Sequence, residues 1–217
     1  KGLNRAIQFW TSRGWSVLDI NYGGSTGYGR EYRDRLKGGW GTVDVFDCCS
    51  AVRQLISLGK IDKEHIAIEG SSAGGFTALA CLFSSNIFKI ASCKYPVTDL
   101  ISMAYKTHRF EENYLDYLIG SLDKNKSKYM NLSPINNTKK ITSPVIFFHG
   151  LKDNVVQLDQ VMQMYNSLIK QDVPSEIKTY KDEGHGFRDG NVNQEVLELT
   201  ENFFIRHLGI TSNKVNN

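Results

Sequence analysis

The sequence has few cysteines and lacks the spacings that mark common metal sites. Its 217 residues include four cysteines, but neither a CxxC pair nor an HExxH pattern occurs. These absences argue against a disulfide framework and a zinc site, and we expect neither a metal nor a cofactor. Since three of the cysteines lie in apolar helical or strand patterns, we expect buried, reduced thiols. The four are Cys48, Cys49, Cys81 and Cys93.

The sequence also lacks the apolar segments that a membrane protein or a secreted precursor carries. No apolar run approaches the roughly 20 residues needed to span a bilayer. The first five residues, Lys1 to Arg5, contain no signal-peptide apolar region. We therefore expect a soluble, cytoplasmic protein with no membrane partner.

Charge of one sign is not concentrated anywhere in the chain. The formal net charge of +3 comes from interspersed acidic and basic residues, without a basic block that could follow a phosphate backbone. Nucleic acid is therefore not an expected partner. With no internal repeat and no convincing linker, we expect a single domain at this length.

Segments with the spacing of helices alternate with short apolar runs. Helical patterns begin at Leu3, Val45, Phe76, Leu158 and Val196, and glycines at 14 and 59 end the first two. Alternation of this kind predicts a mostly parallel sheet with helices on both faces. The predicted strands are Val17–Ile20, Ile66–Ile68, Ala91–Tyr95, Val145–Phe148 and Ile177–Tyr180.

The most informative motif is GxSxG, formed by Gly70 to Gly74. It lies between a predicted strand and a helix-prone segment, as in a nucleophile elbow, where a sharp turn lifts a serine hydroxyl clear of the sheet. The motif indicates Ser72 as the nucleophile and the amide of Ala73 as an oxyanion donor. The alternative is a glycine-rich turn without chemistry, and the motif alone does not decide.

A serine nucleophile needs a base and an acid, and two loops offer them. Asp153 follows the predicted strand at 145–148, and His185 follows the one at 177–180. Both should therefore lie at the same sheet edge as Ser72. The order Ser, Asp, His is that of α/β-hydrolases.

Other residues fit these two roles less well. His65 begins a strand at the opposite edge, and His207 lies on the last helix. His149 is expected to be structural, beside the loop that carries Asp153, called the acid loop here. Asp159 is a candidate acid, but it falls within a predicted helix. For His185 itself the alternative is a solvated loop histidine.

A glycine-rich stretch at residues 21–30 follows the first predicted strand. Neither GxGxxG nor GxxxxGK[ST] fits it, which argues against nucleotide binding. Whether it shapes the edge of an active site or merely connects two elements is left open.

With these residues in place, the chain resembles the catalytic domain of the prolyl oligopeptidase family of serine peptidases. The branch is that of acylaminoacyl peptidases and dipeptidyl aminopeptidases. The resemblance implies an α/β-hydrolase fold, with Ser72 as nucleophile, Asp153 as acid and His185 as general base. The segments of this sequence that carry the resemblance are NYGGSTGYGREYR, GGWGTVDVFDC, GSSAGG, THRFEENYLDYLIG, HGLKDNVV and EGHGF.

The resemblance also implies two parts that this sequence does not contain. One is an amino-terminal β-propeller, and the other is a central strand whose His-Gly-Gly-Pro-like loop gives a second oxyanion donor. We therefore expect residues 1–217 to be the carboxyl-terminal portion of a catalytic domain whose amino-terminal strands are missing. The polar tail at 211–217 should be frayed. The expected partner is a propeller segment or a second copy of the chain.

The expected function is hydrolysis of short peptides through an acyl-enzyme. Arg109 and Phe110, in a segment that commonly roofs such sites, are the candidate substrate contacts. One alternative is a carboxylesterase that uses the same three residues. The other is a non-catalytic remnant that associates with a partner.

Overall fold

Four parallel strands form the centre of the molecule. The computed structural model describes residues 3–106 and 112–210. The strands are β1 Ala67–Ser71, β2 Ile90–Lys94, β3 Val145–Gly150 and β4 Ser175–Tyr180. They lie in the order β1-β2-β3-β4, and every neighbouring pair is parallel. Their carboxyl ends therefore meet at one edge of the sheet.

Helices connect and flank these strands throughout the part of the chain that the structure describes. The α-helices are α1 Arg5–Thr11, α2 Gly29–Asp34, α3 Val43–Ser57, α4 Ala73–Ser84, α5 Leu100–Lys106, α6 Glu112–Leu118, α7 Leu122–Leu132, α8 Leu158–Ile169 and α9 Gly190–Leu208. A 3₁₀ helix spans Pro134–Lys140. The helical patterns predicted from the sequence correspond to α1, α3, α4, α8 and α9.

Side chains alternate between two cores, one on each face of the sheet. In β3, Val145 and Phe147 are buried in the core that includes residues of α3, α4 and α8. Ile146 and Phe148 are buried in the second core, where Trp10 of α1 packs with side chains of α9. Burial of each such side chain stabilises the fold by about 1.5–3 kcal/mol. The prediction of a parallel sheet with helices on both faces is confirmed.

One predicted strand is wrong. Val17–Ile20 has no regular secondary structure, and Val17 and Leu18 are 41% and 48% exposed. A strand forms only where its backbone groups find a ladder partner. Within the described residues the sheet consists of β1 to β4, and this segment pairs with none of them.

The structure also bears on several smaller predictions from the sequence. Gly14 and Gly59 follow α1 and α3 with φ of 84° and 64°, so both glycines end helices in the left-handed conformation. All four cysteines are buried and free, as predicted. The tail at 211–217 lies outside the described residues. In the described ranges, no helix combines the length and the apolar character needed to cross a membrane.

The turn from β1 into α4 brings two backbone segments unusually close. A Cβ atom added to Gly70 would lie 2.0 Å from the carbonyl oxygen of Gly74 and 2.7 Å from the nitrogen of Gly75. Because these are backbone atoms, no side-chain rotation could make room. Only glycine at position 70 lets the helix begin directly against the end of the strand.

We expect Gly70→Ala to lower the free energy of unfolding by about 3 kcal/mol or more, because the added methyl group must push β1 and α4 apart. Gly74→Ala is the matched control, since a Cβ there meets nothing within 4 Å. Alanine also favours helix, so the control should be unchanged or more stable by up to about 1 kcal/mol. Urea denaturation measures both, and equal midpoints for the two variants would contradict this account.

Candidate active site

Ser72 lies at the turn between β1 and α4 in a strained conformation. Its φ of 55° and ψ of −119° are unusual for a residue with a side chain. Ser72 is the N-cap of α4, yet its side chain makes no capping hydrogen bond. The backbone is held by the Ser72 N–H, which donates to the carbonyl of Lys94 at 2.9 Å. The hydroxyl is therefore left available for another partner.

Asp153 lies on the loop after β3, where its own backbone fixes the carboxylate. One oxygen, Oδ1, accepts from the amides of Val155 and Val156 at 2.8 and 2.9 Å. The side chain has no solvent exposure. Burial by itself raises the pKa of Asp153. The hydrogen bonds from His185 and from the two amides outweigh it, so the pKa lies below its ordinary value. The carboxylate is thus ionised at neutral pH.

His185 lies at the tip of the loop after β4. Its neighbours Gly184 and Gly186 form an antiparallel bridge with each other, which makes the loop a tight turn. Gly186 has φ of 98°, a conformation that side chains disfavour. The imidazole is 23% exposed, in contrast to the fully buried Asp153 carboxylate. One part of the ring is therefore accessible to a reactant.

The buried carboxylate of Glu183 fixes the loop after β4, called the base loop here, to its surroundings. Glu183 accepts from the amides of Arg188 and Asp189, both at 2.9 Å. Its carbonyl accepts from the amide of Lys152 at 2.8 Å, which ties the base loop to the acid loop. A Cβ on Gly150 would lie 2.4 Å from that carbonyl, so the two loops touch backbone to backbone.

The structure brings Ser72, Asp153 and His185 into one chain of hydrogen bonds. The Ser72 hydroxyl lies 2.8 Å from His185 Nε2, and His185 Nδ1 lies 2.9 Å from Asp153 Oδ2. Since an ionised carboxylate can only accept, Nδ1–H donates to Asp153. Nε2 is then free to accept the serine proton. This is the arrangement that activates a serine for attack.

Ala73 is the first residue of α4 and immediately follows the candidate nucleophile. Its amide donates no hydrogen bond to any residue in the described ranges. Such an amide, at the positive end of a helix, can stabilise a developing negative charge.

His149 is buried directly behind the acid loop. Its Nε2–H donates to the carbonyl of Val156 at 3.1 Å, and Nε2 lies 3.8 Å from Asp153 Oδ2. Nδ1 is buried without a hydrogen-bond partner among the described residues. Burial is the main cause that lowers the pKa of His149 below its ordinary value. His149 is thus neutral at pH 7 and supports the loop that carries Asp153.

A third buried carboxylate, Asp44, supports the turn that carries Ser72, and sequence reasoning gave it no role. Asp44 accepts from the amide of Gly41 and from the hydroxyl of Thr77, each at 2.6 Å. Thr77 lies on α4, one turn after Ser72, so the contact ties α3 to the start of α4. Burial raises the pKa of Asp44, although the hydrogen bonds oppose the shift. Its place in GGWGTVDVFDC was the available signal.

The other candidates from the sequence are not part of this cluster. His65 is exposed and pairs with Asp62, and His207 packs against Phe203 on α9. Asp159 lies in the first turn of α8. Arg109 and Phe110 lie outside the described residues. The described part of the chain holds no group of three or more His, Cys, Asp or Glu side chains arranged to bind a metal.

Comparison with known proteins identifies the family. The sequence pattern of the prolyl oligopeptidase family matches residues 2–211. The chain belongs to the prolyl oligopeptidase family. The resemblance seen in the sequence motifs is therefore confirmed, and the fold is that of the family's α/β-hydrolase domain.

Individual relatives agree with this membership. An acylamino-acid-releasing enzyme of Arabidopsis thaliana is 30% identical over 190 residues, which cover 84% of this chain and 25% of the relative. A dipeptidyl peptidase family member 6 of Caenorhabditis elegans is 28% identical, with 92% of this chain and 28% of the relative covered. The chain thus spans little more than a quarter of these family members.

A solved structure gives the same picture. A puromycin-hydrolysing peptidase of Mycobacterium tuberculosis is 40% identical and superposes with a TM-score of 0.93. The superposition covers 95% of this chain and 32% of that structure. The similarity therefore extends over almost the whole chain.

We expect the stability of the protein to fall between pH 7 and pH 5, in part through His149. The folded pKa of His149 lies below its ordinary value of 6.5. As the pH falls through that value, the unfolded chain takes up a proton that the folded protein excludes. Stability is then lost by up to about 1.4 kcal/mol per pH unit.

The variant His149→Gln separates this effect from other titrations. Glutamine cannot titrate, yet its amide can still donate to the carbonyl of Val156. Urea denaturation at pH 7 and pH 5 should show a smaller loss of unfolding free energy in the variant than in the parent. An equal loss in both proteins would rule out His149 as a contributor.

Proposed function

We propose that this protein is a serine-type peptidase that hydrolyses short peptides through an acyl-enzyme. The observation that carries the proposal is the continuous hydrogen-bond chain from Ser72 through His185 to Asp153. Membership of the prolyl oligopeptidase family supports it. So does the strained turn that presents the serine hydroxyl to the imidazole.

In the proposed first step, Ser72 Oγ attacks the carbonyl carbon of the scissile peptide bond. His185 Nε2 takes the serine proton as the Oγ–carbon bond forms. Asp153 holds Nδ1 protonated and stabilises the imidazolium, without taking the proton itself. Its lowered pKa fits this role, because a carboxylate that remains ionised can balance the new positive charge.

In the second step, the tetrahedral intermediate collapses and the peptide carbon–nitrogen bond breaks. His185 returns its proton to the leaving amine, which leaves an ester between Ser72 and the acyl part of the substrate. Water, deprotonated by the same imidazole, then attacks this ester and restores the serine. Every proton transfer therefore passes through Nε2.

We assign the amide of Ala73 as one oxyanion donor. Enzymes of this kind ordinarily use at least two, and loss of one costs about 100- to 1,000-fold in turnover. The His-Gly-Gly-Pro-like loop expected for the family does not occur in this sequence. With the Ala73 amide as the one donor assigned among the described residues, we expect slow turnover.

We expect the protein to react covalently with a fluorophosphonate probe at Ser72. Ser72→Ala should abolish the label, because it removes the only atom proposed to attack phosphorus. Ser71→Ala is the matched control, since it removes a neighbouring hydroxyl outside the hydrogen-bond chain, and it should be labelled at the parental rate. Gel fluorescence and peptide mass spectrometry measure the extent and position of labelling.

The labelling experiment can also decide against the proposal. An unlabelled parent that is folded by circular dichroism would indicate the non-catalytic alternative. A label that persists in Ser72→Ala would show that another residue is the nucleophile.

A comparison of substrates should separate peptidase from esterase activity. The similarity to a puromycin-hydrolysing peptidase makes puromycin a suitable test substrate beside short peptide anilides. We expect slow hydrolysis of these compounds together with faster hydrolysis of nitrophenyl esters, because esters have the better leaving group. Both activities should disappear in Ser72→Ala. Hydrolysis of the esters alone would replace the peptidase assignment with a carboxylesterase.

A further inference from the structure

Tyr95 has a backbone conformation that tyrosine normally avoids. Its φ is 38°, in the left-handed region, and the other non-glycine residues with positive φ in the described ranges are Ser72 and Asp172. Tyr95 directly follows β2, and its N–H donates to the carbonyl of Phe148 in β3 at 2.7 Å. Glycine or asparagine would adopt this conformation at lower cost. Favourable contacts of the tyrosine side chain therefore offset the backbone strain.

The Tyr95 ring contacts the imidazole of His185. The two ring centroids are 4.8 Å apart, with an interplanar angle of 60°. On another side, Tyr95 meets Phe187 at 5.3 Å and 87°, and Phe187 in turn meets Tyr180 at 5.2 Å. Edge-on contacts at such distances are favourable and depend on orientation. A row of three aromatic rings therefore ends on the candidate base.

This contact constrains a motion that the hydrogen bonds leave free. Asp153 and Ser72 hold the two nitrogens of the imidazole, but the ring can still tilt about the line that joins them. Once Ser72 is acylated, its hydroxyl proton is gone and the bond to Nε2 is lost. Asp153 and the aromatic contact then remain to aim Nε2 at water for the second half of the reaction.

We propose that Tyr95 is a positioning residue that holds the plane of the His185 imidazole through its aromatic ring. The proposal rests on the proposed function, in which His185 is the general base. The Tyr95 hydroxyl makes no hydrogen bond to any described residue. The effect is therefore assigned to the ring and not to the hydroxyl.

The proposal is tested with three variants at position 95. Tyr95→Gly and Tyr95→Asn remove the ring while they accept the left-handed backbone, so their folds should persist. We expect kcat for a peptide anilide to fall by about 10- to 100-fold in both, since small misplacements of a catalytic group cost this much. KM should change by less than about threefold, because the ring acts on the base and not on substrate binding. Tyr95→Phe keeps the ring contact and should retain most of the activity.

Asp172→Gly is the matched control for backbone strain. Asp172 also has positive φ, at 57°, but it lies before β4, at the opposite end of that strand from the base loop. Glycine there relieves the same kind of strain without touching the active site, so kcat should remain at the parental value. Thermal unfolding of all variants checks that each is folded and of similar stability.

A measurement independent of turnover follows the imidazole itself. The Nδ1 proton held between His185 and Asp153 should give a downfield proton resonance in the parent and in Tyr95→Phe. It should broaden or vanish in Tyr95→Gly, because the ring plane is no longer fixed. An unchanged resonance and an unchanged fluorophosphonate labelling rate in Tyr95→Gly would overturn the proposal.

Two further outcomes are decisive. If Tyr95→Phe loses as much activity as Tyr95→Gly, the hydroxyl matters and the ring-contact proposal is wrong. If the parent itself is not labelled at Ser72, the proposed function fails, and the positioning role falls with it. The two failures are thus distinguished by the behaviour of the parent.

Discussion

The close approach of β1 and α4 at Gly70 is the constraint on which the rest of the site depends. Because the helix begins against the backbone of the strand, Ser72 is forced into a positive φ and cannot use its hydroxyl as an ordinary helix cap. The same turn places the free Ala73 amide beside that hydroxyl. A strained residue is maintained only where its surroundings hold it, and here the Lys94 carbonyl and the Asp44–Thr77 contact provide that support.

The parallel topology of the sheet then brings Asp153 and His185 to the same edge as Ser72. The loops after β3 and β4 lie side by side because their strands are neighbours, and Gly150 lets them touch. Each loop is fixed by a carboxylate that accepts hydrogen bonds from two backbone amides, Asp153 in one loop and Glu183 in the other. The distances around His185 are therefore set by backbone geometry, which varies little, and not by long flexible side chains.

Much of this arrangement could be predicted from the sequence, and the limits have physical causes. The GxSxG turn and the two loop residues follow from local patterns combined with the rule that parallel strands end at one edge. Val17–Ile20 has the composition of a strand, but pairing depends on a neighbour, which composition cannot supply. Tyr95 was not found because its importance arises from a contact between the loop after β2 and the loop after β4. Nothing in the local sequence YPVTD signals a contact with a histidine 90 residues away.

The outer side of β1 presents peptide groups that no described residue pairs with. Such an edge is an open template onto which any extended polypeptide can add. Glu69 is the one charged side chain in the strand, and its pairing with Lys94 at 3.6 Å ties it to the neighbouring strand. Electrostatic repulsion therefore does little to prevent another strand from pairing with β1. Aggregation through this edge should therefore increase with protein concentration. A strand that paired with β1 would suppress the aggregation as well as extend the sheet.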